Sequence, residues 1–446
     1  MAALQGRSAA RPSGFVPFLT LFSVVLLHGC SDGPTGQEGP PIETEKAWTL
    51  LVYVQADFPD AIDILADHDR AAVFSPGLLN QVRAGDNLSV LVLVDREWSP
   101  AHLLSIDESH RADTVQAWGE VNMGDPATLS AFITFAKDHY PAERYILSVF
   151  GHGGGWAGAC SDVSNGNDHL TMGEMRDALT AAAGVDLILL NTPCLMGMVE
   201  VAYNLRNATD IVVASEFLSG WVNEPMGDLS DALHANPGIS TEALGSLFVN
   251  SIWEHRMVWE NVGWPDSLTS SAIRTDRLAG IKDQVHGLSV RYLSWPAGFR
   301  GQIATITPDL TTFQPSYVDL FDLADELLKT GQDQTSRFML ESLRTAINEA
   351  VVAEVHGPAW EGAHGLTIFL PETSTHSLLP LYRGAASGLD WVQDTYWDEL
   401  LAAAYGVGGS AQEAEPGIAR APPRGLVADG LPTQDGKPCR GILSGG

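Results

Sequence analysis

Residues 145–156 read YILSVFGHGGGW, and residues 185–197 read VDLILLNTPCLMG. Each stretch opens with a run of apolar residues, as is typical of a β-strand that is buried on both faces. Each run then stops at a glycine or near Pro193, which cannot continue a strand ladder. A helical pattern separates the two runs, so we expect a βαβ unit with parallel strands that can lie side by side.

The same alternation of strands and helices extends along much of the chain. Apolar runs predict further strands at residues 48–55, 88–94 and 211–214. Helices are predicted at residues 126–139, from the spacing of apolar residues, and at about 171–183, where Thr171 and Glu174 can form a capping box. This order predicts an α/β fold with a doubly wound, mainly parallel sheet and helices on both faces.

The chain becomes more helical after about residue 235, with helices predicted at residues 241–258 and 317–328. An apolar run at residues 365–370 can add a late strand. The tail is rich in Gly, Pro, Ala and charged residues, which predicts disorder. We therefore divide the chain into an export signal (1–29), a flexible tether (30–46), an α/β domain (47–235), a C-terminal part of the same unit (236–405) and a disordered tail (406–446).

The N-terminus has the features of a secretory signal. Arg7 and Arg11 precede an apolar run, residues 15–27, that is too short to span a bilayer. Gly29 and Cys30 follow, as in the bacterial lipoprotein signal, where the cysteine becomes the lipidated first residue. We predict an exported cell-envelope lipoprotein that is anchored through Cys30 to the outer membrane or the cell surface. The alternative is a plain signal peptide that is cut near Gly29.

The formal net charge of −30 comes from 25 Lys and Arg against 55 Asp and Glu. It argues against nucleic acid as a partner, because phosphate binding needs clustered cations. An acidic surface suits cationic substrates or hard ions such as calcium. No EF-hand spacing is present, and no metal ligands are assigned. No zinc site is expected either, since no C-x-x-C spacing occurs among Cys30, Cys160, Cys194 and Cys439.

His152 and Cys194 are the candidate catalytic residues. Each follows the end of one of the two strands, and functional sites in parallel sheets gather outside the carboxyl ends of the strands. A thiol is only a few per cent ionised at neutral pH; a nearby imidazole can take its proton and later protonate the leaving group. Small residues beside His152 let the backbone approach a substrate, so the amides of Gly153 and Cys194 are the expected oxyanion donors.

Alternatives exist for both residues and for their motif. Cys194 can be a buried structural thiol, and His152 can be a histidine in a tight glycine turn. The HGGGW segment is also similar to the oxyanion loop of α/β-hydrolase esterases, which need a G-x-S-x-G nucleophile turn. The string of that type at residues 29–33 lies in the signal and tether region, which excludes the esterase.

The two motifs, HGGGW at 152–156 and CLMGMVEVAY at 194–203, are joined by further segments in a fixed order. These segments are WTLLVYVQAD (48–57), LVLVDR (91–96), GEVNMGDP (119–126), ASE (214–216), SAI (271–273), VDL (318–320) and GLTI (365–368). In all of them the chain resembles the clostripain-like cysteine peptidases, which belong with caspases, gingipains and legumains. The likeness runs over about residues 48–401.

The resemblance implies a caspase-like sheet, a catalytic dyad of His152 and Cys194, and cleavage of peptide bonds, commonly after Arg or Lys. It implies no required cofactor, although calcium is possible because some members use it. Some members also mature by self-cleavage in the loop after the His motif. Residues 157–173 contain no Lys or Arg here, so we expect an unbroken chain.

The family often has Asp two residues before the catalytic Cys, where it helps to receive a basic side chain; here that residue is Thr192. Glu216 or Asp228 could supply the missing charge, because a buried cation needs a carboxylate partner. The alternative is that Glu216 is structural. We predict an endopeptidase for peptide or protein substrates that favours Arg or Lys before the cut. The other hypothesis is a catalytically silent, surface-anchored binding or scaffold lipoprotein on a peptidase fold.

Overall fold

The computed structural model describes residues 42–57, 82–97, 99–219, 225–257, 266–314, 316–371 and 376–407. The expected signal peptide, Cys30, Cys439 and the tail from residue 408 fall outside the described residues, so the expectations about them stay predictions. In the part of the chain that is described, none of the helices combines the length and apolarity needed to cross a bilayer.

Strands of the described residues form one large sheet, one small sheet and a hairpin. The strands are β1 (Lys46–Ala56), β2 (Leu88–Arg96), β3 (Ser99–Ile106), β4 (Ala112–Gly119), β5 (Ala142–Phe150), β6 (Ala159–Asp162), β7 (Asp168–Leu170), β8 (Leu187–Leu190), β9 (Ile211–Ala214), β10 (Thr269–Arg274), β11 (Thr312–Gln314), β12 (Tyr317–Asp319), β13 (Val351–His356) and β14 (Thr367–Phe369). The large sheet has the order β13-β10-β9-β8-β5-β1-β2-β3-β4, the small sheet has the order β11-β12-β14, and β6 pairs with β7.

The five central strands of the large sheet, β9, β8, β5, β1 and β2, run parallel to one another. Most of their residues are buried on both faces, which explains their uninterrupted apolar sequences. The two strands of the predicted βαβ unit are neighbours, with Ile146 opposite Leu187 and Ser148 opposite Leu189. The prediction of a mainly parallel sheet is confirmed.

Antiparallel strands extend the large sheet at both edges: β3 and β4 beyond β2, and β10 and β13 beyond β9. These four strands were not predicted from the sequence. Strand β4 is largely exposed and β10 reads TSSAIR, so neither has an apolar run. Pairing with a neighbouring strand, rather than composition, makes these segments extended.

Helices separate the strands and follow them. They are α1 (Pro126–His139), α2 (Met172–Ala181), α3 (Val199–Leu205), α4 (Met226–Ala235), α5 (Thr241–His255), α6 (Leu278–Leu293), α7 (Pro296–Ile306), α8 (Leu320–Lys329), α9 (Gln334–Ala350), α10 (Leu379–Tyr382), α11 (Asp390–Asp394) and α12 (Trp397–Tyr405). Helix α1 has the predicted bounds. The predicted capping box of α2 is also confirmed, because Thr171 and Glu174 each accept the backbone N–H of the other, at 3.2 and 2.9 Å.

Both faces of the large sheet are covered by helices. Along β1, Leu51 and Tyr53 belong to one core and Leu50 and Val52 to another, because successive side chains of a strand point to opposite faces. Helices α4 and α5 pack in the second core, and the remaining helices supply the first. This is the predicted doubly wound arrangement.

The C-terminal half is mainly helical, as predicted, with two differences. Residues 317–328 were expected to form one helix, but the first three form β12. The helix begins at Leu320, where the Asp319 side chain accepts the Asp322 N–H at 2.7 Å and caps it. The late strand exists as β14, yet it pairs with β12 in the small sheet rather than joining the large one.

Candidate functional site

The loop that contains His152 leaves the end of β5 and turns back against β6. The carbonyl oxygen of His152 accepts the Cys160 N–H at 2.9 Å, and the Gly154 N–H donates to the carbonyl oxygen of Gly158 at 2.9 Å. These two bonds flank Gly153. In an antiparallel pair of this kind the N–H of the middle residue points away from the partner strand, so the Gly153 amide is directed out of the pair.

Cys194 lies in the turn after β8 and is 7 % exposed. Its thiol donates to the carbonyl oxygen of Ser219 at 3.6 Å, and it is in no disulfide. The N–H of Leu195 donates to the carbonyl oxygen of Phe217 at 3.1 Å, so it is already used. Leu195 has a φ of +67°, a left-handed conformation that a side chain disfavours and that recurs in strained functional turns.

The two turns touch through their backbones at Gly153. A Cβ atom placed on this residue would lie 2.6 Å from the carbonyl oxygen of Cys194 and 2.7 Å from Cβ of Pro193. Such distances are far inside van der Waals contact, so glycine is required next to His152. The structure therefore brings His152 and Gly153 to the Cys194 peptide, which unites the residues predicted for the catalytic and oxyanion roles.

The small sheet and Met198, which precedes helix α3, contact the His152 loop. The Tyr317 hydroxyl donates to the carbonyl oxygen of Gly154 at 3.0 Å, and the Trp156 N–H contacts the Met198 sulfur at 3.3 Å. The Trp156 ring meets Phe369 edge to face, with ring centroids 5.4 Å apart. The sequence analysis did not assign these supporting roles, because they depend on pairing between distant segments.

Glu200, in the first turn of α3, is a buried carboxyl that the sequence analysis also missed. One of its oxygens accepts the Phe369 N–H at 2.8 Å and the Tyr382 hydroxyl at 3.1 Å. Burial raises the pKa of Glu200 to about 7, although these two hydrogen bonds oppose the shift. The side chain thus ties the helix after Cys194 to strand β14.

Glu216, one of the residues predicted to receive a basic side chain, is buried just after β9. One oxygen accepts the Gly365 N–H at 3.0 Å. Burial, followed by the neighbouring Asp319 carboxyl, raises the pKa of Glu216 well above its usual range. A buried carboxyl that already accepts a backbone N–H is poorly placed to pair with a substrate cation, so these contacts favour the alternative in which Glu216 is structural.

The other two predicted specificity residues have different surroundings. Thr192 is buried in the turn before Cys194, and its carbonyl oxygen accepts the Ser219 hydroxyl at 3.1 Å. Asp228 lies at the start of α4, where its carboxylate is 3.0 Å from Nε2 of His255 on α5. Thr192 therefore lies in the Cys194 turn itself. The backbone of Glu216 also borders this turn, where a Cβ on Gly197 would lie 2.8 Å from the Glu216 nitrogen, but the Glu216 side chain contacts Gly365.

Four carboxylates meet where β1 and β2 end. They belong to Asp57 after β1, Asp95 in β2, Glu120 after β4 and Asp162 at the end of β6. One oxygen from each lies within 4.8 Å of the others, and all but Glu120 are buried. Oxygen atoms at this spacing suit a hard cation. No spacing within the sequence reveals the group, because each member comes from a different element.

Comparison with known proteins identifies the family. The model of the clostripain family matches residues 77–403, which is most of the chain. The chain belongs to the clostripain family. It is therefore a member of a family of cysteine peptidases. Clostripain from Hathewaya histolytica is 24 % identical over 402 residues, which cover 72 % of this chain and 75 % of that protein.

Solved structures of clostripain-family proteins share the fold. An inactive zymogen C11 protease from Parabacteroides distasonis has a TM-score of 0.60 and 18 % identity, over 80 % of this chain and 99 % of that one. A secreted C11 cysteine protease from Bacteroides thetaiotaomicron, in complex with an irreversible peptide inhibitor, has a TM-score of 0.57 and 17 % identity, over 79 % and 99 %. At these identities the likeness concerns the fold, and it confirms the expected large, mainly parallel sheet with helices.

The contact at Gly153 yields a first prediction for this clostripain-family protein. Gly153→Ala forces its methyl group into the Cys194 peptide and separates the two turns, so peptidase activity should fall by about 100-fold or more while the fold remains. Gly301→Ala on α7 is the matched control, because a Cβ there meets nothing within 4 Å. Circular dichroism and hydrolysis of a peptide substrate measure the two effects. Full activity in Gly153→Ala would contradict the proposed contact.

Proposed function

We propose that this chain is a cysteine endopeptidase in which Cys194 is the nucleophile and His152 is the general base and acid. The observation that supports the proposal best is the contact between Gly153 and the Cys194 peptide, because it joins the turns that contain the two residues. Membership of the clostripain family supports the reaction class.

The proposed reaction has two halves. In the first, the imidazole of His152 accepts the thiol proton, the sulfur of Cys194 bonds to the substrate carbonyl carbon, and the π electrons move to the oxygen. The carbonyl re-forms as the peptide C–N bond breaks, and the imidazolium protonates the departing amine. In the second, His152 takes a proton from water, the hydroxide attacks the thioester, and the thiol leaves with that proton.

Two backbone amides are proposed to bind the oxyanion. The N–H of Gly153 points out of its strand pair, and it is adjacent to the Cys194 N–H through the contact of the two turns. The Leu195 N–H is held by Phe217 and is therefore left out of this role. A pair of fixed donors stabilises the developing negative charge without reorganisation.

The dyad gives a second prediction. Cys194→Ala and His152→Ala should each lower kcat/KM by at least about 1,000-fold without unfolding the protein, and the double variant should be little worse, because the two residues act as one unit. His102→Ala, a half-buried histidine on β3, is the control and should keep its activity. Substantial activity in Cys194→Ala would sink the dyad. A wild-type protein that is labelled at Cys194 by a thiol-directed inhibitor yet cleaves no peptide would support the silent scaffold.

We also propose that the peptidase prefers Arg or Lys at the residue before the cut. The support is the family resemblance and the net charge of −30, since Glu216 is engaged elsewhere. Matched fluorogenic peptides with Arg or its uncharged isostere citrulline before the bond test it, and we expect kcat/KM to be at least about tenfold higher for Arg. Equal rates would refute the preference.

Glu216→Gln separates the two roles considered for this residue. The amide keeps the shape of the neutral carboxyl, so a structural Glu216 leaves the ratio of the Arg and citrulline rates unchanged. A selective loss of the Arg substrate would instead return Glu216 to the specificity pocket.

We further propose that the protein is exported and is anchored by a lipid on Cys30. The support is the apolar run at residues 15–27, which is followed by Gly29 and Cys30, and the secreted relative from Bacteroides thetaiotaomicron. Intact mass of the mature N-terminal peptide should show an acylated Cys30, and salt washing should leave the protein in the membrane fraction, because several acyl chains hold firmly. Cleavage at another position, or an unmodified Cys30, would refute the anchor. Cys30→Ser is the control and should be released.

A further inference from the structure

We propose that Glu200 is a positioning residue, whose neutral carboxyl holds the His152 turn and the Cys194 turn together. It accepts the Phe369 N–H at 2.8 Å and the Tyr382 hydroxyl at 3.1 Å, and these two partners support both turns. The catalytic consequence of this role rests on the proposed dyad. Its consequence for the two turns can be measured without a peptide substrate.

On the Cys194 side, the carboxyl continues a short ladder between the turn and strand β14. The Thr367 N–H donates to the carbonyl oxygen of Gly197, in that turn, at 2.8 Å. Phe369 is the next residue of β14 whose N–H points to the same side, and it needs an acceptor there. The facing segment has by then become helix α3, whose carbonyl groups point along the helix axis. Glu200 supplies the missing oxygen, so the pairing that fixes the turn depends on it.

On the His152 side, the two partners of Glu200 form the surface on which Trp156 packs. The Trp156 ring meets Phe369 and Tyr382 edge to face, with ring centroids 5.4 and 5.3 Å apart. The rings of Phe369 and Tyr382 stack on each other at 4.5 Å. Trp156 ends the HGGGW segment that contains His152, so one carboxyl acts on both catalytic turns.

The surroundings of Glu200 suit the neutral carboxyl. The residue is 0 % exposed, and its second oxygen has no partner among the described residues. A charge on that oxygen would be buried without compensation, which costs far more than an unpaired hydroxyl. Burial accordingly raises the pKa of Glu200 to about 7, although its hydrogen bonds oppose the shift.

The neighbouring groups do not compensate a charge on Glu200. None of the ion pairs formed by the described residues includes it. Burial, and then the Glu200 charge, raises the pKa of both Tyr317 and Tyr382, so these hydroxyls stay protonated. Titratable groups on the elements around α3 contact one another: Arg176 with Asp390, Arg206 with Asp390 and Asp394, Lys282 with Asp283, His286 with Tyr396, and Arg383 with Asp398.

The ionisation of Glu200 makes the stability of this region depend on pH in one direction. Because the pKa in the fold lies above the ordinary value of 4.5, folding favours the protonated carboxyl. Its contribution is complete below pH 4.5 and is lost as the pH rises through about 7. Ionised Glu200 regains hydration only when α3 and β14 separate, so the two turns should loosen above this pH.

Glu200→Gln is the variant that tests the role, because the amide accepts the same two hydrogen bonds and cannot ionise. Its kcat/KM should lie within about twofold of the wild type at about pH 6 and exceed it at least about threefold at about pH 8.5, mainly through kcat. Over the same interval its Tm should rise by at least about 2 °C relative to the wild type.

Glu399→Gln is the matched control. Burial also raises the pKa of Glu399 to about 7, but this residue lies on α12 beside Asp398. The substitution should change the dependence of Tm on pH in the same direction and leave the dependence of kcat/KM on pH unchanged.

Hydrogen–deuterium exchange of the full-length protein separates this inference from the proposed peptidase. At about pH 8.5, and after correction for intrinsic rates, peptides that span residues 150–158 and 192–205 should exchange faster in the wild type than in Glu200→Gln. Equal exchange in the two proteins would overturn the role of Glu200. So would different exchange with the same pH profile of kcat/KM, because Glu200 would then support the fold but not the dyad. A wild type without peptidase activity would refute the proposed function, and exchange alone would then decide whether Glu200 holds the turns.

Discussion

The parallel pairing of β5 with β8, inside a sheet that is buried on both faces, is the constraint from which the site follows. Parallel neighbours end at the same edge, so the turns after them must leave side by side. Every buried N–H and carbonyl in those turns then needs a partner. Cys160 supplies one for His152, and Phe217 supplies one for Leu195. These hydrogen bonds fix the backbones of both turns, which explains why a side chain at position 153 would collide with the Cys194 turn.

Much of this arrangement could be predicted from the sequence, because the signals are local. Uninterrupted apolar runs marked the central strands, and a capping box and apolar spacing marked α1 and α2. The edge strands were missed since β4 and β10 are polar, and only their neighbours make them extended. Tyr317–Asp319 was assigned to a helix for the same reason: its pairing with β14 lies outside any local window.

The site divides in the same way. The proximity of the turns that contain His152 and Cys194 could be predicted, because the ends of two neighbouring strands in a βαβ unit suffice to bring these turns together. The roles of the charged residues could not be predicted, because the sequence does not show which groups surround a carboxyl in the fold. Glu216 was predicted to bind substrate from its position after β9, and only the fold shows that its side chain contacts Gly365 and lies next to Asp319, which are distant in the chain. The convergence of Asp57 with three other acids is equally invisible before the fold is known.

A buried carboxyl needs a partner in place of water, and the buried acids of this very acidic protein differ in the partners that they have. Asp398 pairs with the buried guanidinium of Arg383 at 2.9 Å. Glu200 accepts an N–H and a hydroxyl, and Glu216 accepts an N–H next to a second carboxyl. Burial raises the pKa of both carboxyls, and the N–H donors oppose the shift. Asp95 has neither a cation nor a well-formed hydrogen bond among the described residues. One oxygen of the buried Asp57 also has no hydrogen-bond partner among the described residues, so these two acids carry a cost of burial that the described contacts do not offset.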